Sequence, residues 1–198
     1  MNGLCWGIEA GFSGLVFGVD EVGRGPLAGP VMAAAACLCA ESVPEGLGDS
    51  KSVPRKRRES IAASLQYVAV AEASVEEIDR LNILRASHLA MVRAVAALAA
   101  RMGPPAMVLV DGNMLPGFDF PARAIVKGDA TVASIAAAAV AAKVARDRRM
   151  GELDHGHPGY GWRTNMGYGT AEHLAGLSRL GPNLHHRRSF APISKLLN

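Results

Sequence analysis

The stretch GVDEVGRGPLAGPV, residues 18–31, constrains this chain more than any other, because an apolar run ends there in two adjacent acids and then in a glycine–arginine–glycine turn. The preceding LVFGVD is short and rich in strand-forming residues, as a buried strand is. A carboxylate at the end of such a strand is costly unless it is paired or binds a cation. Glycine loops behind strands usually cradle phosphate, yet Asp20 and Glu21 would repel one. A divalent cation between acids and phosphate is the usual cure for that conflict.

The remaining apolar runs predict an α/β domain around a mixed sheet. VMAAAACLC, residues 31–39, follows the first strand within hairpin distance. Ser52 before Val53-Pro54 predicts an N-cap with proline in the first turn, opening a basic helix to about Gln66. YVAVAEA reads as a third strand. Ser74 with Glu77 forms a capping-box pattern, and behind it Ile78, Leu81, Leu84, Leu89, Val92 and Val95 keep helical spacing up to Gly103-Pro104-Pro105. AMVLV then delivers Asp111 at a strand end, and ARAIV delivers Lys127-Gly128-Asp129. The alanine-rich stretch 130–150 predicts a second long helix, and Thr170 caps a last one running to about Leu180. A core over residues 1–150 and a small helical cap over 151–198 are expected.

Three strand ends thus carry acids: Asp20-Glu21, Asp111 and Asp129. Gathered at one end of a sheet they suit two magnesium or manganese ions, which can activate water and stabilise the leaving oxygen of a phosphodiester. Each acid also has an ordinary alternative. Asp129 can cap the helix that follows it, and Asp111 before Gly112 can be a turn residue. Residues 23–28 formally match a dinucleotide-binding GxGxxA pattern. Against that reading, Pro26 and Pro30 interrupt the helix it requires, the next segment looks extended, and the acids sit where a pyrophosphate would lie.

At 198 residues the chain suffices for one domain that needs no disulfide or metal staple. A formal charge of +3 is too mild to argue for nucleic acid by itself, but arginines cluster at 55–58, 146–149 and 187–188. Cys5, Cys37 and Cys39 read as free thiols of a reducing compartment. No signal-peptide pattern is seen and the longest apolar run is too short to span a membrane, so a cytoplasmic, membrane-free protein is expected.

Taken in order, GVDEVGRGPLAGPV, DSK (49–51), NILRASHLAM, VDGN, KGDATVASIAAAAVAAKVARDR, GYGTAEH and HHRRSFAPI resemble the motifs of the ribonuclease HII family. The resemblance covers residues 15–194 and implies a ribonuclease H-like mixed sheet flanked by helices with a C-terminal helical cap. It implies an endonuclease that hydrolyses the RNA strand of RNA–DNA hybrids and nicks 5′ to ribonucleotides embedded in duplex DNA. The metal-binding quartet falls on Asp20, Glu21, Asp111 and Asp129. Gly23, Arg24 and Gly25 fall on the backbone that approaches the ribose, and Tyr168 on the ring that stacks on the sugar. Ser50 and Lys51 fall on a phosphate-contacting pair. Lys143 and Arg146, three apart on one helix face, are further candidates for phosphate contact.

Met166 stands where the family motif has a lysine, Ser52 replaces a common second lysine, and Ala139 a frequent serine. None belongs to the acidic quartet. His155, His157, His185 and His186 imitate metal-ligand spacings, but soft-ligand sites do not suit magnesium-dependent hydrolysis. A monomer is expected. PISKLLN lacks the glutamine and paired aromatics of a sliding-clamp peptide, so no clamp docking through it is expected. A non-catalytic hybrid-binding protein is the competing class, and the intact quartet argues against it.

Overall fold

The computed structural model describes residues 7–48 and 53–197. Five strands, β1 (Val16–Val22), β2 (Val31–Ala36), β3 (Val68–Ala73), β4 (Met107–Asp111) and β5 (Ala122–Ile125), form one sheet in the order β3-β2-β1-β4-β5. The short turn after β1 forces β2 to return antiparallel, and β3 pairs antiparallel with β2. β4 and β5 run parallel to β1, which requires crossovers. Among the described residues the α-helices are α1 (Arg55–Ser64), α2 (Val75–Leu81), α3 (Ile83–Met102), α4 (Gly128–Thr131), α5 (Ala133–Gly156), α6 (Trp162–Asn165), α7 (Ala171–Leu180) and α8 (Ala191–Leu197).

The period of two along the strands sorts the core into two layers. Phe17, Val19, Ala33, Ala35, Val108 and Val110 pack with Ala90, Ala94 and Leu98 of α3 on one face. Ala34 and Ala36 pack with the alanines of α5 and with Ile61 on the other. The small residues serve close approach. A Cβ at Gly18 would lie 2.1 Å from the Ser134 carbonyl carbon, so α5 can rest on β1 only because Gly18 has no side chain.

Several boundaries differ from those expected. β1 continues to Val22, so Asp20 and Glu21 lie within the strand rather than beyond it. The single long helix expected after Ser74 is two helices joined at Asn82, whose φ is 70°. Asn82 N–H closes α2 on the Ile78 carbonyl, and its side-chain oxygen accepts from Arg85 N–H to open α3. Extended Val132 likewise separates α4 from α5. The expected boundary at residue 150 falls inside α5, which runs on to Gly156. Pro54 is itself the residue before α1, and Ser52 lies outside the described residues.

Two caps read from sequence are present. Ser74 Oγ accepts from Glu77 N–H while the Glu77 carboxylate accepts from Ser74 N–H, and Thr170 Oγ1 accepts from His173 N–H. A third anchor comes from far away: buried Glu9 accepts from both N–H and hydroxyl of Ser134 at 2.9 Å, in the first turn of α5. Beyond α5, Tyr160, Trp162, Leu177 and Ile193 pack against Met150 and Leu153 and against Leu27 and Ala28 of the glycine loop. The C-terminal helices therefore seal onto the loop that follows β1.

Candidate active site

Asp20, Glu21, Asp111 and Asp129 border one cleft of about 330 Å³, together with Ala139, Lys143, Arg146 and Tyr168. Adjacent strands bring them there. Asp20 and Glu21 sit near the end of β1, Asp111 ends the parallel neighbour β4, and Asp129 lies in the short α4 that follows β5. Strand alternation turns Asp20 toward the α5 face and Glu21 toward α3, where His88 feels its charge. Burial, followed by the charges of Glu21 and Asp111, holds the Asp20 carboxyl well above the usual carboxylate range, although the Glu21 N–H bonded to its Oδ1 at 2.7 Å opposes the shift. Clustered carboxylates of this kind are relieved by a cation.

The acids are also held by protein groups. Asp111 Oδ1 accepts from the N–H of Gly128 at 2.7 Å and of Asp129 at 3.3 Å. Glu21 pairs with Arg24 at 3.1 Å. Among the described residues no three His, Cys, Asp or Glu side chains stand as a ready-assembled metal cage. The donors are nonetheless all hard carboxylate oxygens, which fit magnesium or manganese, and the Glu21–Arg24 pair is a surface contact that a cation can displace.

The glycine turn lies beside Tyr168. A Cβ on Gly25 would come 3.4 Å from Tyr168 Cε1, and the ring is 50% exposed, as a stacking residue must be. The turn leads into β2 rather than a helix, which removes the dinucleotide-binding alternative.

Arg146 corrects a sequence expectation. It is 1% exposed, and its Nε, Nη1 and Nη2 donate to the carbonyls of Pro30, Met166 and Ala28. It ties the loop after β1 to the turn that bears Tyr168, so its guanidinium is spent on main-chain carbonyls inside the protein rather than presented on an open helix face. Arg187 is likewise buried, which removes it from the basic surface expected of the 187–188 pair. Burial lowers Arg146 to about 10 and Arg187 to about 9, so both stay charged at neutral pH. Lys143 is partly exposed on the cleft wall and pairs with Asp147 at 2.5 Å. Ser50 and Lys51 lie outside the described residues.

Sequence reasoning also missed a buried histidine pair behind Tyr168. Trp162 Nε1–H donates to His173 Nε2 at 3.0 Å, so the His173 proton resides on Nδ1, which donates to the Tyr168 carbonyl. No side-chain pattern in the sequence pairs these groups. His155, His157, His185 and His186 do not line the acidic cleft, whereas His88 borders a neighbouring pocket with Glu21 and Asp111. Cys37 and Cys39 are free thiols, the first buried and the second exposed.

A mixed sheet with a long helix laid across its central strand, and acids on that strand and its parallel neighbours, defines a ribonuclease H-like hydrolase. The family model of ribonuclease HII matches residues 17–193. The chain belongs to the ribonuclease HII family and is a ribonuclease. It is 61% identical over 186 residues to a ribonuclease HII of Cereibacter sphaeroides, covering 92% of this chain and 86% of that protein. Its fold is similar to that of ribonuclease H2 from Pyrococcus horikoshii, with a TM-score of 0.75, 25% identity, and coverage of 92% of this chain and 96% of that one. It is also similar in fold to a Bst RNase HIII solved with Mn2+, with a TM-score of 0.76 at 20% identity, covering 93% of this chain and 70% of that one.

Proposed function

We propose that this protein hydrolyses the RNA strand of RNA–DNA hybrids and nicks duplex DNA 5′ to an embedded ribonucleotide, leaving a 3′-hydroxyl and a 5′-phosphate. Its role would be the removal of ribonucleotides from DNA. The observation that carries the reading is the convergence of Asp20, Glu21, Asp111 and Asp129 on one cleft whose rim is the exposed Tyr168 ring beside Gly25. Acids alone would suit any metal nuclease. Acids next to an exposed ring and a side-chain-free turn suit one that inspects a sugar, and the 2′-hydroxyl is the group that separates RNA from DNA there.

The quartet would hold two divalent cations as oxygen ligands, and the manganese complex of the RNase HIII relative supports that choice of ion class. When bound, such cations supply water activation and neutralise the charge developing on the phosphate. Asp20, buried where β1 meets α5, would offer its carboxylate oxygens to those cations from within the cleft. Tyr168 stacks on the sugar, the Gly23–Arg24–Gly25 main chain meets its 2′-hydroxyl, and Lys143 faces a phosphate across the cleft.

The test is a gel assay on a duplex DNA carrying one ribonucleotide, beside an all-DNA duplex, with manganese, magnesium or a chelator. A metal-dependent nick 5′ to the ribonucleotide, absent from the control, is the expected result. Tight binding without cleavage in either metal would favour a hybrid-binding protein. Neither binding nor cleavage would overturn the reading.

A further inference from the structure

The Gly23–Arg24–Gly25 turn is shaped from outside. Gly23 has φ 90° and is buried, and the group that meets its carbonyl stands 164 residues later in the chain. Arg187 Nη2 donates to the Gly23 carbonyl at 2.6 Å, Nη1 to the Arg24 carbonyl at 2.9 Å, and Nε to the Gly29 carbonyl at 3.0 Å. One planar fork thus spans both ends of the loop, which a lysine cannot do. The guanidinium is 0% exposed and lies over the Phe190 ring, its Cζ 5.1 Å from the centroid. Its own position is held in turn. Asp79 of α2 accepts from Arg188 N–H at 3.0 Å, from Ser189 N–H at 2.9 Å and from the Ser189 hydroxyl at 2.6 Å.

The Gly23 and Arg24 carbonyls belong to the peptide groups whose N–H ends are at Arg24 and Gly25. Both of those residues are exposed, and Gly25 adjoins Tyr168. A charged donor on each carbonyl oxygen polarises its peptide and strengthens the N–H at the far end as a donor. Arg146 holds the same loop through carbonyls too, but only the peptides bonded by Arg187 present their N–H ends at the exposed Arg24 and Gly25. What the charge adds is direction and polarity in two amides on the outer surface.

We propose that Arg187 is a positioning residue for sugar discrimination: it aims and polarises the Arg24 and Gly25 amides toward the hydroxyl that distinguishes ribose from deoxyribose. This rests on the reading of the glycine turn as the ribose-facing surface. Arg187 acts through the main chain and touches no substrate.

Fluorescence anisotropy with calcium replacing magnesium measures affinity for a duplex carrying one ribonucleotide and for the same duplex in all-DNA form. The wild-type protein is expected to prefer the first. Arg187→Lys is expected to lose at least about tenfold of that preference, the equivalent of one charge-assisted hydrogen bond, with all-DNA affinity unchanged. Val95→Ala, in the α3 core, lowers thermal stability without touching the loop and is expected to keep the preference. A folded Arg187→Lys protein with wild-type preference would overturn the proposal, as would an equal loss in Val95→Ala. If Arg187→Lys does not fold, Asp79→Ala carries the test from the partly exposed end of the anchor. A smaller loss in the same direction supports the proposal and no change overturns it. Absence of any preference in the wild-type protein would instead strike the ribose-facing reading itself.

Discussion

The Nε2 atoms of His173 and His186 lie 3.1 Å apart, enclosed by Trp162 and Tyr160. Trp162 fills one approach to His173 Nε2, and Asn183 N–H donates to His186 Nδ1, so the proton of His186 sits on Nε2 and points at His173. Both rings are neutral, and His173 has no room for a second proton on Nε2 without facing two donors. Because His173 Nδ1 donates to the Tyr168 carbonyl, this arrangement also fixes the turn beneath the exposed tyrosine.

The pair makes stability depend on pH. Burial lowers His173, and burial followed by the charge of His173 lowers His186 to about 4 from 6.5. A base depressed in the folded state binds fewer protons there than when unfolded, so stability is full above pH 6.5 and is lost as pH falls toward 4. The loss from His186 is on the order of 3 kcal/mol across that window. Thermal melts between pH 7.5 and 4.5 should show the fall, and His186→Asn should have a flatter profile from a lower starting point. Glu77, lowered to about 2 chiefly by its hydrogen bond to Arg93, adds a separate loss that begins near pH 4.5.

Asp20→Asn should separate stability from activity. The folded protein holds Asp20 buried among like charges, so removing its charge relieves repulsion. Without divalent metal the variant should be about 1 kcal/mol more stable than wild type. Cleavage of the single-ribonucleotide duplex should fall by roughly three orders of magnitude or more, since a ligand of the reacting centre is lost. Chemical denaturation and initial rates on the same preparations check both signs.

Metal should stabilise the wild-type protein through the same residues. Manganese at a hundredfold excess over its Kd adds about 2.7 kcal/mol to unfolding free energy, and chelator removes it. Asp111→Asn should lose most of that increment, with calorimetry in manganese and in chelator as the measurement. An equal metal increment in the variant would mean that the ion binds elsewhere.

Gly18→Ala tests the contact on which the site is built. The added Cβ would meet the Ser134 backbone at 2.1 Å, and backbone cannot rotate away as a side chain can. A destabilisation of about 3 kcal/mol is expected, with reduced cleavage because Asp20 lies two residues further along the displaced strand. Urea titration gives the first quantity and single-turnover rates the second.

Glu9→Gln should weaken the start of α5. Glu9 Oε1 accepts from both donors of Ser134, and its charge lies in the helix's first turn, so neutralising it should cost about 1–2 kcal/mol. A lowered melting temperature with unchanged cleavage at permissive temperature is the expected outcome.

Local chemistry made much of this protein legible in its sequence. Short apolar runs marked the strands, with alternation adding to the signal in YVAVAEA, Ser74 and Thr170 announced their helices, and the acids stood out because carboxylates rarely follow buried strands without cause. The Asn82 break was hidden because helical spacing continues across it, and only the side-chain bond to Arg85 reveals two helices. The sequence by itself determined the order of elements, the identity of the acids and the glycine turn, since each depends on neighbours within a few residues. Only the tertiary structure decided what Arg146 and Arg187 do. An arginine beside other arginines looks like a solvated surface, and these two are buried because backbone carbonyls more than a hundred residues away need donors there. The same holds for Glu9 at α5 and for the His173–His186 contact, where the energy lies in pairings between distant parts of the chain that no local pattern encodes.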